Sequence, residues 1–98
     1  MIEDINLIGL PEETINDIEK KLGYDVILSF ACNYKTVKAN IELLKSFGLK
    51  NINDLILNRD YIFLLDTEQL VKKFSKFNFP VIANLINEDY SVIDEIFS

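Results

Sequence analysis

The chain contains no histidine and no tryptophan, and only one cysteine, one methionine, two prolines and three glycines. Without histidine it lacks the usual general base near neutral pH and the commonest metal ligand. A single cysteine, Cys32, allows neither an internal disulfide nor a thiolate zinc site, and it points to a reducing compartment. Set in the run Phe30-Ala31-Cys32, it reads as a small core residue and not as a nucleophile. Gly9, Gly23 and Gly48 lie too far apart to form a phosphate-cradling loop. Apolar runs extend for a few residues only, whereas a membrane-spanning helix needs about 20. The first residues carry neither a basic stretch followed by an apolar one nor an Arg-rich, acid-poor leader, so the expected location is cytoplasmic. The acidic pairs Glu12-Glu13, Glu88-Asp89 and Asp94-Glu95 lack the alternating ligands of a calcium loop and read as helix-end charge. No catalytic constellation and no cofactor site remain. The composition reads as that of a non-enzymatic protein.

What is present is core material. Of 98 residues, 49% are hydrophobic, including seven phenylalanines, and 27% are charged, which is the balance of one globular domain. The net charge is −6, yet its sign is unevenly distributed. Residues 1–19 carry six acids and no base, and residues 88–98 carry four acids and no base. All ten bases lie between Lys20 and Lys76 among six acids, leaving that middle stretch at 10 − 6 = +4. The overall sign opposes a strong nonspecific hold on a phosphate backbone, while a local basic strip stays open.

Three stretches resemble one another. Gly9-Leu10-Pro11 is followed by Ile15 and Ile18; Gly48-Leu49 by Ile52, Leu55 and Ile56; Asn78-Phe79-Pro80 by Ile82, Leu85 and Ile86. Phe47 and Phe77 precede the second and third turns, and the pairs Asp60-Tyr61 and Asp89-Tyr90 follow them. Recurrence at this period predicts an all-α, right-angled or curved stack of helix-turn-helix repeats, about 5–7 helices in one domain, with units near residues 9–47, 48–77 and 78–98. Spacings of three and four predict buried stripes: Ile15, Ile18 and Leu22; Val37, Ile41 and Leu44; Ile52, Leu55 and Ile56; Leu70, Val71, Phe74 and Phe77; Val81, Ile82, Leu85 and Ile86; and Ile93 and Ile96. Asp25 to Cys32 forms a short buried helix in this reading, and Tyr61 to Leu65 a tight helical turn with buried ends. Helix starts are expected at Pro11, at Asn33 or Thr36, at Asn51, at Asp66, at Pro80 and at Ser91, the asparagine, aspartate, serine and threonine acting as side-chain caps.

The unit Gly48-Leu49 with Ile52 and Leu55-Ile56, then Asn58-Arg59-Asp60-Tyr61 with Phe63-Leu64-Leu65, then Leu70 and Phe74, resembles the mitochondrial transcription termination factor repeat. The resemblance covers about residues 36–97, with a degenerate copy at 7–30. It implies a curved stack of helix pairs with short 3₁₀ turns, and nucleic-acid binding along a basic concave groove. The proline usual before the aliphatic pair is missing, with Asp60 or Tyr61 in its place.

Two functional expectations follow. The first is a protein-interaction module with a basic partner, contacted by Tyr90, Asp94 and Glu95 of the acidic last helix. The second is a nucleic-acid-binding module using a central strip of Lys35, Lys38, Lys45, Arg59, Lys72, Lys73 and Lys76, with Tyr34 and Tyr61 as aromatic platforms.

Overall fold

Ile5 and Ile8, spaced by three residues with Ile2 before them, match the three-residue period of a 3₁₀ helix, and in the computed structural model, which describes residues 2–97, Ile2–Ile8 forms one. Seven α-helices follow among the described residues: α1 Glu12–Leu22, α2 Tyr24–Cys32, α3 Tyr34–Ser46, α4 Ile52–Asn58, α5 Thr67–Phe74, α6 Phe79–Glu88 and α7 Val92–Ile96. A second 3₁₀ segment, Asp60–Leu64, separates α4 from α5. No strand occurs among the described residues, and the chain is an all-α helical stack.

Left-handed glycines set two of the turns. Gly23, at φ +95°, ends α1 while its N–H bonds back to the Ile18 and Glu19 carbonyls. Gly48, at φ +102°, ends α3, with Gly48 N–H on Lys45 O and Leu49 N–H on Leu44 O. Both placements exploit the absence of a side chain at the helix C-terminus. The first 3₁₀ segment packs on α2 and α3, α1 packs on α2 and α4, and α3 meets both α5 and the second 3₁₀ segment. One core runs through these layers, with Ile18, Phe30, Val37, Leu44, Ile56, Ile62, Phe63, Leu70, Phe74 and Ile93 sealed from solvent. Toward the C-terminal end an aromatic chain takes over. Phe79 stacks on Phe47 at 4.3 Å, Phe47 meets Phe74 at 5.5 Å, Phe74 meets Phe97 at 5.9 Å, and Phe97 meets Tyr61 edge-on at 6.3 Å.

Several details depart from the stripes read in the sequence. Cys32 is exposed, because the inner face of α2 carries Ile27, Phe30 and Ala31, and the next residue turns about 100° away from it. Val71, Phe77, Val81 and Leu85 are exposed as well. Neighbours on a helix diverge by about 100°, and here Leu70 and Ile82 turn inward while Val71 and Val81 turn outward. In the second 3₁₀ segment the buried residues are the central Ile62 and Phe63, not the ends.

Of the expected side-chain caps, none forms at Asn33, Asn51, Asp66 or Ser91. Asn33 instead donates to the Ser29 carbonyl at the end of α2, and Ser91 donates its N–H and hydroxyl to Asp89. α3 begins directly after α2, so the Asn33 amide serves the earlier helix. Asn78 does cap α6, accepting the Val81 N–H at 3.3 Å.

Candidate docking surface

One buried polar residue organises the end of the molecule where exposed chemistry gathers. Asn40 interrupts the inner stripe of α3 between Val37 and Leu44, and it is fully buried. Its amide nitrogen donates to the Phe63 carbonyl at 2.9 Å and the Leu65 carbonyl at 2.7 Å. Its amide oxygen accepts the Thr67 hydroxyl at 2.7 Å. Two carbonyls can only accept and a hydroxyl can donate, so the orientation of the amide is dictated by its partners. These three bonds fix the exit of the second 3₁₀ segment and the start of α5. They thereby place Tyr61 and Leu65 on one wall and Gln69, Lys72, Lys73 and Lys76 on the other wall of a groove of about 580 Å³, completed by Phe97.

The three lysines occupy the last turn of α5 and the turn after it, where they also complement the helix dipole. None of the three makes an ion pair with another described residue. The Tyr61 ring lies at 88° to Phe97, which holds it by edge-to-face contact. Partial burial, helped by the Asp94 carboxylate, pushes the Tyr61 hydroxyl above its ordinary range. Like any tyrosine at physiological pH, it is a neutral hydroxyl able to donate.

Beside the groove, two residues expected to serve different functions neutralise one another. Arg59 Nε donates to Asp94 Oδ1 at 2.6 Å and Nη2 to Oδ2 at 2.7 Å, a two-pronged pair, while Nη1 donates to the Asn58 carbonyl. The guanidinium also lies over the Tyr90 ring, 5.1 Å from its centroid. The hydrogen bond to Arg59 holds the Asp94 carboxyl below its ordinary value. Arg59 is thus committed within the fold, as is Asp94, and Tyr90 packs on the pair. Glu95, the neighbour of Asp94 on α7, is exposed.

The remaining lysines of the central strip lie elsewhere. Lys35 and Lys38 line a shallow concavity with Leu7, Tyr34, Ala39 and Glu42. Lys45 lines another with Ile8 to Pro11, Lys50 and residues 51–54. The strip is divided among three concavities, and only the one holding Lys72, Lys73 and Lys76 also carries Tyr61.

A second surface begins one residue beyond Lys76, and nothing in the periodicity reading marked it. Phe77, Val81 and Leu85 recur every four residues with 40%, 57% and 45% of their surface exposed. From Phe77 to Asn87 no residue is charged, in a chain where 27% of residues are. The signal was present as the paired apolar residues Val81-Ile82 and Leu85-Ile86, which give α6 two apolar stripes about 100° apart. The inner stripe, Ile82, Ala83 and Ile86, is buried; the outer one is not. Asn87 fastens the far end of α6 to the Gly48 turn, accepting from Lys50 N–H at 2.9 Å and donating to Gly48 O at 3.0 Å.

Among the described residues no helix is long and apolar enough to cross a membrane, and no group of His, Cys, Asp and Glu side chains is placed to hold a metal. Compared with protein-family models, with curated proteins and with solved structures, the chain finds no match in any of the three.

Proposed function

We propose that this chain is a non-enzymatic helical docking module that works in the cytoplasm through a protein partner, the partner laying an amphipathic helix along α6. The observation that carries the reading is the ridge of Phe77, Val81 and Leu85. It consists of Val81 and Leu85, one turn apart on α6, with Phe77 just before the helix, all three exposed in a segment free of charge from Phe77 to Asn87. Interface centres are depleted of charge and enriched in aromatic and aliphatic anchors, and helix-on-helix recognition uses anchors at this spacing. Large apolar side chains exposed together on one uncharged segment are the kind of surface that serves as an interaction site.

The nucleic-acid reading implied by the repeat resemblance draws support from two features, the Tyr61 ring beside Lys72, Lys73 and Lys76 and Tyr34 beside Lys35 and Lys38. It is weakened by the division of the lysines, by the commitment of Arg59 to Asp94 and by the net charge of −6.

Affinity capture with the intact chain and with a Val81→Asp/Leu85→Asp variant tests the docking reading. Both side chains point outward, so the variant is expected to keep its far-UV circular dichroism and melting profile. The expected result is a protein captured by the native chain, identified by mass spectrometry, and bound at least about tenfold more weakly by the variant once both partners are purified. Binding unchanged by the substitutions overturns the reading. So does capture that nuclease treatment abolishes, or sedimentation showing that α6 merely pairs two copies of this chain.

A further inference from the structure

We infer that the groove between the second 3₁₀ segment and α5 is a second contact site, which takes an acidic peptide segment carrying apolar anchors. The inference rests on the docking reading and names the chemistry of the partner at a surface distinct from the α6 ridge. Three features of the groove converge on this ligand class.

The first is charge. Lys72, Lys73 and Lys76 present three ammonium groups to one groove, and none makes an ion pair with a described residue. An acidic segment would supply their counter-charges, and the gain in encounter rate would fall with salt. The second is the apolar wall. Leu65, Tyr61 and Phe97 line the opposite side, and both aromatic rings are held in place by edge-to-face contacts within the fold. Rigid aromatic walls anchor apolar side chains at low entropic cost. The Tyr61 hydroxyl and Gln69 add hydrogen-bonding groups that an extended backbone can use. The third is extent. At about 580 Å³ the groove has the size of sites that enclose a small ligand or a few residues of a peptide.

The limited extent also separates a peptide from nucleic acid. A strand held by its phosphates needs a continuous run of cations. Here the positive field is local: Arg59 is bound to Asp94, and the other lysines line different concavities. A short anion with apolar side chains matches one local cluster of cations.

The Phe79–Phe47–Phe74–Phe97–Tyr61 aromatic chain joins the base of α6 to this groove. The two surfaces therefore stand on one packed support, and a single partner can address both.

Fluorescence anisotropy with three labelled probes tests the inference on the intact chain: a short peptide alternating Glu with Leu and Phe, the same peptide with Gly and Ser replacing the apolar residues, and an oligothymidylate of similar length. The expected order is tightest binding for the first peptide, a drop of several-fold for the second, and the weakest binding for the oligonucleotide. Raising salt from about 50 to about 300 mM weakens the first peptide. Lys72→Glu/Lys76→Glu is expected to cost about tenfold or more in its affinity, with Lys72→Gln/Lys76→Gln intermediate. Both side chains are exposed, and unchanged melting profiles establish that the fold persists. Affinity for the acidic peptide that is absent, or indifferent to the lysine substitutions, overturns the inference. Tighter binding of the oligonucleotide through the same lysines overturns it in favour of nucleic acid. Val81→Asp/Leu85→Asp is expected to leave peptide binding intact while abolishing partner capture, so failure of this site and failure of the α6 ridge are read separately.

Discussion

Replacing Asn40 should destabilise the protein well beyond what removing one polar side chain from a helix ordinarily does. The amide makes three hydrogen bonds, to Phe63 O, Leu65 O and Thr67 Oγ1, from a fully buried position. At a net of about 0.5–1.5 kcal/mol each, the bonds together contribute about 1.5–4.5 kcal/mol. The bond to Phe63 O is the buried one, and an acceptor stranded there costs about 1–3 kcal/mol by itself. Leu65 O and Thr67 are only partly buried, so water can recover part of their loss. Asn40→Ala also gains helix propensity, about 0.5 kcal/mol within α3. The sum is a loss of about 2–4 kcal/mol, against about 5–15 kcal/mol for a domain's entire stability. In a domain of this size that lowers the melting temperature by roughly 10–25 °C.

Urea and thermal unfolding followed by circular dichroism measure the effect, with an unchanged m-value showing that the same surface is exposed on unfolding. Asn40→Leu is the decisive control. It fills the site with apolar atoms but still strands the Phe63 carbonyl, so it should remain destabilising by about 1–3 kcal/mol. Asn40→Leu as stable as the native chain, within about 0.5 kcal/mol, would refute the assigned role of the amide. Asn40→Asp adds a pH signature. A buried carboxyl facing two carbonyls has its folded pKa raised, since only the protonated form can donate. Its stabilising contribution is therefore present below the ordinary aspartate pKa and lost as pH rises through the raised value. The gap between Asn40→Asp and the native chain should be wider at neutral pH than in mild acid.

Two further expectations follow from the geometry. Asp94 has a carboxyl pKa lowered from 3.8 chiefly by its hydrogen bond to Arg59, so its contribution to stability is present above that value and lost as pH falls through the lowered one. The melting-temperature difference between the native chain and Asp94→Asn should accordingly be present at neutral pH and vanish on acidification; a difference independent of pH would contradict the ion pair. Gly48→Ala meets no steric obstacle, its Cβ lying 3.5 Å from that of Ala83, but it forces a side chain onto φ +102°. It should cost about 1–2 kcal/mol by chemical denaturation from backbone strain alone, and a neutral result would show that the turn relaxes.

The all-helical stack was legible because spacings of three and four recur along the chain, and Ile18, Ile41, Leu44, Ile52, Leu55, Ile56, Leu70, Phe74 and Ile86 are buried as that periodicity predicts. Periodicity gives the existence of an inner face but not its width. Val71, Val81 and Leu85 were read as core because each neighbours a core residue in sequence, and neighbours on a helix diverge by about 100°. Caps were misread for a related reason. Ser, Asp and Asn before a helix offer an acceptor, yet nearby groups can draw the same side chain elsewhere, as Ser29 O takes the Asn33 amide and Asp89 takes the Ser91 hydroxyl.

At the candidate site the sequence supplied the charges but not their pairing. Arg59 and Asp94 are 35 residues apart, and only the folding of α7 against the Asn58–Asp60 turn brings them into a two-pronged contact. That pairing changes what each surface offers: Arg59 and Asp94 each face a counter-charge within the fold. The lysines of α5 are then the local unpaired charge beside Tyr61. Asn40 was visible as a polar residue on an apolar stripe, since it stands three residues after Val37 and four before Leu44. Such a residue is stable there only if its amide is fully bonded, which required a neighbouring segment with spare carbonyls. The 3₁₀ exit at Phe63 and Leu65 provides them. The groove thus depends on a core residue that bonds directly to the backbone of its wall at Leu65, and substitution of Asn40 should weaken peptide binding as well as stability, whereas substitution of Lys72 and Lys76 should weaken binding alone.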